Sequence, residues 1–213
     1  MDNDIMLDWP NLGKYQKDNG VLLQSESDER RVVFMGDSIT EEWSNLYPSY
    51  FKERSYVNRG IGGQTTPQML IRFKQDVIDL SPYLVLILAG TNDIAGNTGN
   101  ATIKMITDNI FSMSELASLQ DINVILCSIL PVKKYDWARQ IKDPPTIITS
   151  VNSQLKAYAT KRGITYLDYY SKMVDGEQGL NDKYTYDGVH PNQEGYVLMS
   201  ELAEDAISEI LSL

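Results

Sequence analysis

The chain has one histidine and one cysteine among its 213 residues, and these two scarcities exclude several kinds of site. A single cysteine, Cys127, cannot form a disulfide within the chain. It lies in an apolar run, which predicts a buried structural thiol. A zinc site built from several histidines is excluded. Any mechanism that requires an imidazole base must therefore use His190.

The sequence also lacks an excess of basic residues and any long hydrophobic run. The 29 acidic residues outnumber the 19 basic ones, for a formal net charge of -10. We therefore expect no nucleic-acid partner, and without a membrane-spanning run we expect no integral membrane segment. The start, Met1-Asp2-Asn3-Asp4, lacks the basic and apolar regions of a signal peptide, which predicts a cytoplasmic protein by default. A chain whose signal peptide had been removed would look the same, so a secreted or periplasmic location stays open.

Short apolar runs alternate with amphipathic helical segments five times, and 42% of the residues are hydrophobic. This alternation predicts an α/β domain with a parallel sheet and helices on both faces, spanning residues 1–213. Residues 1–30 form an extension that we expect to pack on the body through a helix at about 10–19. The predicted strands cover about residues 31–36, 55–58, 83–88, 123–130 and 164–167. The other predicted helices cover about residues 66–80, 102–119, 146–161 and 192–211.

Glycine and polar residues follow the ends of the predicted strands. They include Gly36-Asp37-Ser38, Gly60 to Gly63, Gly90-Thr91-Asn92-Asp93 and Asp168. The carboxyl ends of parallel strands meet at one edge of a sheet, and α/β proteins place their sites there. We therefore expect these residues to gather along a single edge.

Ser38 stands where the first predicted strand, ending at Gly36, turns into a helix with Glu41 and Glu42 in its first turn. A helix N-terminus has unpaired N–H groups and a partial positive charge. Such a position suits a nucleophile whose reaction creates an oxyanion, so Ser38 is a candidate nucleophile. The alternative is that Ser38 only caps the helix, because serine is a preferred N-cap residue.

The second candidate group is the turn Asp187-Gly188-Val189-His190-Pro191, just before the last predicted helix. Asp187 and His190 are three residues apart and can bond to each other in a tight turn. The carboxylate would hold the imidazole in one tautomer, which leaves the other ring nitrogen to take a proton from Ser38. The alternative is a helix-entry motif in which His190 only caps the helix.

An oxyanion hole requires two or three hydrogen-bond donors. Ser38 can supply its backbone N–H, a backbone N–H near Gly63 can approach a substrate closely, and Asn92 can supply a side-chain amide that does not titrate. Asp37 and Asp93 are interpreted as hydrogen-bonding partners that hold their loops. For Gly60 to Gly63, the alternatives are a tight turn and a phosphate loop, although the spacing matches no standard phosphate-binding motif. For Asn92 and Asp93, the alternative is a polar turn after a buried strand.

In order and rough spacing, these blocks resemble those of the SGNH (GDSL-type) hydrolase superfamily. The matching blocks are Gly36-Asp37-Ser38, Asn58 to Thr65, Gly90-Thr91-Asn92-Asp93 and Asp187-Gly188-Val189-His190-Pro191. The glycine block is especially similar to that of bacterial acylhydrolases in the platelet-activating-factor acetylhydrolase-like branch. Gln64 departs from the pattern, because aspartate is frequent at that position. The resemblance extends from Arg31 to the C-terminus.

The resemblance implies a flavodoxin-like three-layer α/β/α sandwich with a five-stranded parallel sheet. It also implies ester hydrolysis by a serine nucleophile without a metal or another cofactor. By position, Ser38 resembles the nucleophile, His190 the base and Asp187 the third member of the triad. Gly63 and Asn92 resemble the oxyanion donors, together with the Ser38 N–H.

The function that we predict is hydrolysis of short-chain carboxylic esters, on a small-molecule or carbohydrate substrate such as an acetylated sugar. A loop at about residues 133–145 is expected to border the site, with Tyr135, Trp137 and Pro144-Pro145. Its aromatic rings could stack on sugars or simply pack beneath the loop. A lysophospholipase or longer-chain acylhydrolase is the alternative, and it would require an apolar groove.

Three other classes remain as alternatives. A non-catalytic binding protein on the same fold would predict a broken triad. A glycosidase would use two carboxylates such as Asp37 and Asp187, but it would leave His190 and Asn92 without a role. A metal-dependent phosphatase would gather Asp37, Asn92, Asp187 and His190 around an ion.

Overall fold

A computed structural model describes residues 8–24 and 30–212, and within them five parallel strands form one sheet. The strands are β1 (Val32–Gly36), β2 (Tyr56–Gly60), β3 (Leu84–Leu88), β4 (Asn123–Cys127) and β5 (Thr165–Leu167). Their order is β2-β1-β3-β4-β5. This is the flavodoxin-like order, in which the chain winds first to one side of β1 and then to the other.

Helices cover both faces of the sheet. They are α1 (Gln16–Gln24), α2 (Ser38–Leu46), α3 (Pro48–Lys52), α4 (Thr66–Asp76), α5 (Thr91–Ala95), α6 (Ile103–Ser118), α7 (Pro144–Arg162), α8 (Tyr169–Met173) and α9 (Gln193–Leu211). Helices α4, α6 and α7 pack on one face, and α2, α3, α8 and α9 pack on the other. The predicted three-layer α/β/α sandwich is therefore confirmed. In the described ranges, none of these helices is long and apolar enough to span a bilayer.

The alternation of side chains along the strands produces two separate cores. In β1, Val33 and Met35 enter the core beneath α4 and α6, while Val32 and Phe34 enter the core beneath α2 and α9. Successive strand residues point to opposite faces, so a strand buried on both sides is apolar throughout. The uniformly apolar β3, which is buried along its whole length, follows the same rule.

The register of the sheet places the site loops level with one another. Gly36, the last residue of β1, pairs with Gly60 at the end of β2 and with Leu88 at the end of β3. The segments that follow these three strands therefore leave the sheet at the same height. They carry Ser38, the glycine loop and Asn92.

Two predicted elements end earlier than their apolar patterns suggested. The strand predicted at 123–130 ends at Cys127, because the Ile129 N–H and C=O bond instead to the side-chain amide of Asn152 (2.8 and 3.0 Å). The helix predicted at 66–80 ends at Asp76, and a 3₁₀ turn continues it to Leu80. Its predicted core face is buried throughout, so the apolar period was correct although the helix length was not.

The N-terminal helix is displaced from its prediction at 10–19. Consecutive hydrogen-bonded turns, with Asn11 at φ 56°, occupy the segment before Gln16, where α1 begins. Helix α1 does pack on the body, since Asn19 donates to the Asp76 carboxylate (2.7 Å) and accepts from Arg59 (2.7 Å). Residues 1–7 and 25–29 of the predicted extension lie outside the described residues.

Segments predicted to be irregular contain further helix. Pro144 and Pro145 start α7, a position that proline tolerates because the first helical N–H groups have no intrahelical acceptor. Helix α8 lies between the strand predicted at about 164–167 and the helix predicted at about 192–211, a stretch for which no element was predicted. Neither difference moves the loops that follow β1, β2 and β3.

Candidate active site

Ser38 is the first residue of α2 and lies directly after β1. The cap of this helix is Asp37, whose Oδ1 accepts a hydrogen bond from the Ile39 N–H (3.0 Å). The alternative that Ser38 serves as the cap is therefore wrong. Its hydroxyl instead lies 2.9 Å from Nε2 of His190.

The imidazole of His190 connects Ser38 to a carboxylate. Its Nδ1 lies 2.7 Å from Oδ2 of Asp187. A carboxylate can only accept, so the neutral ring donates from Nδ1 and leaves Nε2 to accept from the serine hydroxyl. The structure thus brings Ser38, His190 and Asp187 into one chain of hydrogen bonds.

The turn between Thr185 and Pro191 orients Asp187 by itself. Oδ1 of Asp187 accepts from the backbone N–H groups of Val189 (2.9 Å) and His190 (2.7 Å). Partial burial would raise the pKa of Asp187, but these bonds and the contact with the imidazole outweigh burial and lower that pKa below its ordinary value. Asn192, not His190, caps α9, so the helix-entry alternative for the histidine is also wrong.

Gly63 and Asn92 lie in the segments that flank Ser38. The φ angle of Gly63 is 74°, and in the described part of the chain its N–H has no hydrogen-bond acceptor. The Asn92 amide nitrogen donates to the Gln64 carbonyl (3.0 Å), while its oxygen accepts from Asn97 (2.9 Å). Asn97 also donates to the Gly63 carbonyl (3.1 Å), so both residues are held in place, and Asn92 is buried, unlike a surface turn.

Asp37 and Asp93 are buried carboxyl groups beside these donors. Asp93 accepts from the N–H and the hydroxyl of Thr66 (2.9 and 2.6 Å), which ties the segment after β3 to the start of α4. Burial raises the pKa of Asp37 to about 7 and that of Asp93 to about 6. Their partners are backbone and hydroxyl groups in the first turns of α2 and α4.

Glu41 holds the glycine loop, a role that the sequence patterns did not reveal. Its Oε2 accepts from the Gly62 N–H (2.6 Å), and its Oε1 accepts from Lys14 of the N-terminal segment. Gly60 allows this approach, because a Cβ there would lie 2.1 Å from the Glu41 nitrogen. Glu41 follows Ser38 by three residues, one helical turn, and that spacing is the signal that could have identified it.

Arg72 is a second residue that the patterns did not reveal, and it is fully buried. Its guanidinium donates to the carbonyls of Gly36 (3.0 Å), the last residue of β1, and of Arg59 (2.8 Å), the next-to-last residue of β2. These two strands lead into the site loops. It also pairs with Asp76 and donates to the side-chain oxygen of Gln64 (2.5 Å).

Gln64, at the position where aspartate is frequent in the family, connects this network to the N-terminal segment. Its amide nitrogen donates to the Pro10 carbonyl (2.7 Å). Aspartate has no donor when ionised and could not make that bond. Glutamine at this position thus links the glycine loop to the N-terminal segment that packs on it.

Aromatic side chains border the site on the histidine side. The ring centroid of Trp137 lies 6.4 Å from that of His190, and the ring of Tyr186 lies 5.8 Å from it. Tyr135, predicted to border the site with Trp137, is instead buried and bonds to the Thr91 hydroxyl (2.9 Å). Of the two aromatic side chains in the predicted loop, Trp137 therefore borders the site and Tyr135 does not.

The arrangement does not favour the glycosidase or the phosphatase alternative. Asp37 is 1% exposed and caps a helix, so it cannot reach a glycosidic oxygen. Both ring nitrogens of His190 already have protein partners, and an ion would have to displace one of them. In the described ranges, no three His, Cys, Asp or Glu side chains cluster as metal ligands would.

The sequence model of the GDSL-like lipase/acylhydrolase family matches residues 34–198. This range includes all the residues named above as candidate nucleophile, base, third triad member and oxyanion donors. Most of the chain is thus similar to that family.

The structure is also similar to a solved structure from Bacteroides fragilis, that of a candidate acylhydrolase. The two chains are 50% identical, with a TM-score of 0.93, and the match covers 95% of this chain and 98% of the other.

Two curated relatives are more distant. An uncharacterised lipoprotein, YqeF of Bacillus subtilis, is 32% identical over 118 residues, which is 47% of this chain and 49% of that protein. The chain therefore aligns with about half the length of this relative. The human alpha2 subunit of platelet-activating factor acetylhydrolase IB is 23% identical over 91% of this chain and 82% of that subunit.

Proposed function

Since the chain belongs to the GDSL-like lipase/acylhydrolase family and is a carboxylic ester hydrolase, we propose that Ser38, His190 and Asp187 are its catalytic triad. The observation that supports this most directly is the pair of hydrogen bonds from Ser38 to His190 (2.9 Å) and from His190 to Asp187 (2.7 Å). These are the contacts that a serine nucleophile requires from its base, and a base from its orienting carboxylate.

In the first half of the reaction, Nε2 of His190 takes the Ser38 proton while Oγ attacks the ester carbon. The negative oxygen that forms accepts hydrogen bonds from the Ser38 and Gly63 N–H groups and from the Asn92 amide. The imidazolium then donates its proton to the alcohol oxygen as the carbon–oxygen bond breaks. Asp187, whose lowered pKa keeps it ionised, stabilises the imidazolium.

In the second half, His190 takes a proton from water, and the hydroxide oxygen attacks the acyl-serine carbon. The same donors stabilise the second oxyanion, and the imidazolium returns its proton to Ser38 as the acid leaves. The enzyme thus consumes one water for each ester, and His190 acts once as base and once as acid in each half.

We propose a short acyl group, with acetyl esters of carbohydrate as the natural class. The side chains that bond to the glycine loop beside Ser38 are polar, namely Glu41, Asn92 and Asn97. A long alkyl chain requires an apolar groove instead. The similarity to a protein named as an acetylhydrolase supports the same acyl size.

A series of p-nitrophenyl esters from acetate to palmitate tests this proposal on the wild type and on Ser38→Ala. We expect kcat/KM to be greatest for acetate, to fade beyond butyrate and to vanish in the variant. Activity that rises with chain length would contradict the short-acyl proposal and favour a lysophospholipase. Full activity in Ser38→Ala would contradict the triad.

A further inference from the structure

Two exposed aromatic rings flank the imidazole of His190. Trp137 is 50% exposed and Tyr186 is 56% exposed. The Tyr186 ring lies almost parallel to the imidazole, at an angle of 8°, and the Trp137 ring is inclined by 29°. One ring comes from the loop after β4 and the other from the turn that carries Asp187.

Each ring is held in place by its polar atom. The indole nitrogen of Trp137 donates to Oδ1 of Asn97 (3.3 Å), and the Tyr186 hydroxyl donates to Oε2 of Glu42 (2.6 Å). Both rings are half exposed beside the imidazole, where a bound substrate can contact them. The two rings are thus fixed but open to solvent.

The position of the rings indicates which part of an ester they would meet. His190 gives its proton to the alcohol oxygen, so the alcohol must leave beside the imidazole. The carbonyl oxygen lies on the other side of the reacting carbon, toward Gly63 and Asn92. Rings that flank His190 therefore contact the alcohol rather than the acyl group.

We propose that Trp137 and Tyr186 form a subsite for the sugar ring of an acetylated carbohydrate, an inference that rests on ester hydrolysis at Ser38. A sugar has an apolar C–H face that can lie on an aromatic ring, and an edge of hydroxyl groups. Asn97 and Glu42, which hold the two rings, supply acceptors at that edge.

The charges near the subsite favour a neutral alcohol over an anionic one. Glu42 and Asp187 lie on this side of the site, and the chain carries a net charge of -10. A phosphorylated alcohol would meet like charges on approach. A cationic alcohol such as choline would be attracted by the same carboxylates and rings, so the test must separate it from a sugar.

The test compares three acetyl esters that differ only in the alcohol: acetylated xylobiose, acetylcholine and ethyl acetate. The variants are Trp137→Ala, Tyr186→Ala and Trp137→Phe, which keeps a ring. Tyr83→Ala is the matched control, since Tyr83 is 36% exposed and precedes β3 at the opposite edge of the sheet. The quantity measured is the ratio of kcat/KM for each ester to that for ethyl acetate.

We expect each alanine variant to lower the ratio for acetylated xylobiose about three- to tenfold, mainly through KM, as loss of one aromatic contact predicts. Trp137→Phe should restore part of the ratio, and Tyr83→Ala should leave it unchanged. An equal loss on all three esters would overturn the proposal, because the rings would then act only on His190. A loss confined to acetylcholine would also overturn it and assign the subsite to a cation.

The outcome that would contradict ester hydrolysis at Ser38 differs from the one that would contradict the sugar subsite. If the wild type hydrolyses ethyl acetate but not acetylated xylobiose, the sugar subsite is wrong while ester hydrolysis stands. If it hydrolyses none of the three esters, Ser38 is not the nucleophile of an acetyl esterase and both proposals fall. Titration calorimetry of acetylated xylobiose into Ser38→Ala, with and without Trp137→Ala, measures the same subsite without turnover.

Discussion

The two halves of the site are built differently. Around Ser38, the polar side chains Asp37, Asn92 and Asp93 are buried, and Asn92 and Asp93 bond to residues 28 and 27 positions away in sequence. The other half is a single turn, in which Asp187 bonds to residues two and three positions away. Its side chains meet solvent, with His190 19% and Asp187 37% exposed.

The difference corresponds to the role that we propose for each half. Donors aimed at an oxyanion stabilise it without rearranging only if the surrounding structure already holds them in place. The base must instead exchange protons with an alcohol and then with water, and it needs access to both. The serine half should therefore couple activity to folding stability, while the histidine half should affect activity almost alone.

The largest expected effect is on the reacting groups themselves. Ser38→Ala and His190→Ala should each lower kcat about 10⁴- to 10⁶-fold, because neither nucleophile nor base has a substitute. Ser44→Ala, further along α2, is the control and should stay active. Steady-state kinetics with p-nitrophenyl acetate measures the loss, and more than a few per cent of residual activity in either variant would refute the assignment.

Next in size is Asp187→Asn, which tests the histidine half without removing the base. Asparagine can still accept the Val189 and His190 N–H bonds, but it cannot stabilise the imidazolium. We expect kcat to fall about 10³- to 10⁴-fold, less than for Ser38→Ala, with the unfolding temperature nearly unchanged. A strongly destabilised variant would show that this turn supports the fold.

Asn92→Ala tests the coupling claimed for the serine half. Loss of one oxyanion donor should lower kcat about 10²- to 10³-fold. The change also leaves the Gln64 carbonyl without its donor and removes one acceptor of the Asn97 amide, so we expect a loss of about 1–3 kcal/mol in the free energy of unfolding. Asn123→Ala, at the opposite edge of the sheet, is the control in kinetics and urea denaturation. If Asn92→Ala were as stable as wild type, activity and stability would not be coupled in the serine half.

The smallest expected effect is the pH dependence of stability that Asp37 contributes. Burial raises its pKa from 3.8 to about 7, so folding favours the protonated form. That contribution is complete below about pH 4 and is lost as the pH rises toward 7. Asp37→Asn keeps an acceptor for the Ile39 N–H and cannot ionise.

We therefore expect the unfolding temperature of Asp37→Asn, relative to wild type, to rise between about pH 5 and pH 8. Asp168→Asn is the matched control, because Asp168 caps α8 in the same way from a less buried position. The rise attributed to Asp37 is the change in the unfolding temperature of Asp37→Asn beyond any change in this control. A relative fall for Asp37→Asn would mean that the ionised carboxylate is the stable form.

The parts of the site that could be predicted from the sequence are those that the sheet topology determines. Ser38 and His190 are 152 residues apart, yet a parallel sheet brings the segments after its strands to one edge. The family and the fold, recognised from the ordered blocks, are confirmed. The catalytic roles stay predictions until the variants above are measured.

The parts that could not be predicted depend on contacts between remote segments. Nothing in the local sequence marks Arg72 as the group that holds the Gly36 and Arg59 carbonyls, since its helix position alone suggests an ordinary charged residue. Tyr135 and Trp137 are two residues apart and equally aromatic. Tyr135 is buried in the core and bonds to the Thr91 hydroxyl, whereas Trp137 stays half exposed.

Covalent labelling by a fluorophosphonate, followed by intact mass spectrometry and peptide mapping, tests most directly whether Ser38 is the nucleophile. We predict that one label attaches at Ser38, that activity disappears in proportion, and that His190→Ala reacts far more slowly because its serine has no base. Ester hydrolysis that continues in fully labelled protein, or a label on another residue that abolishes activity, would contradict the central claim.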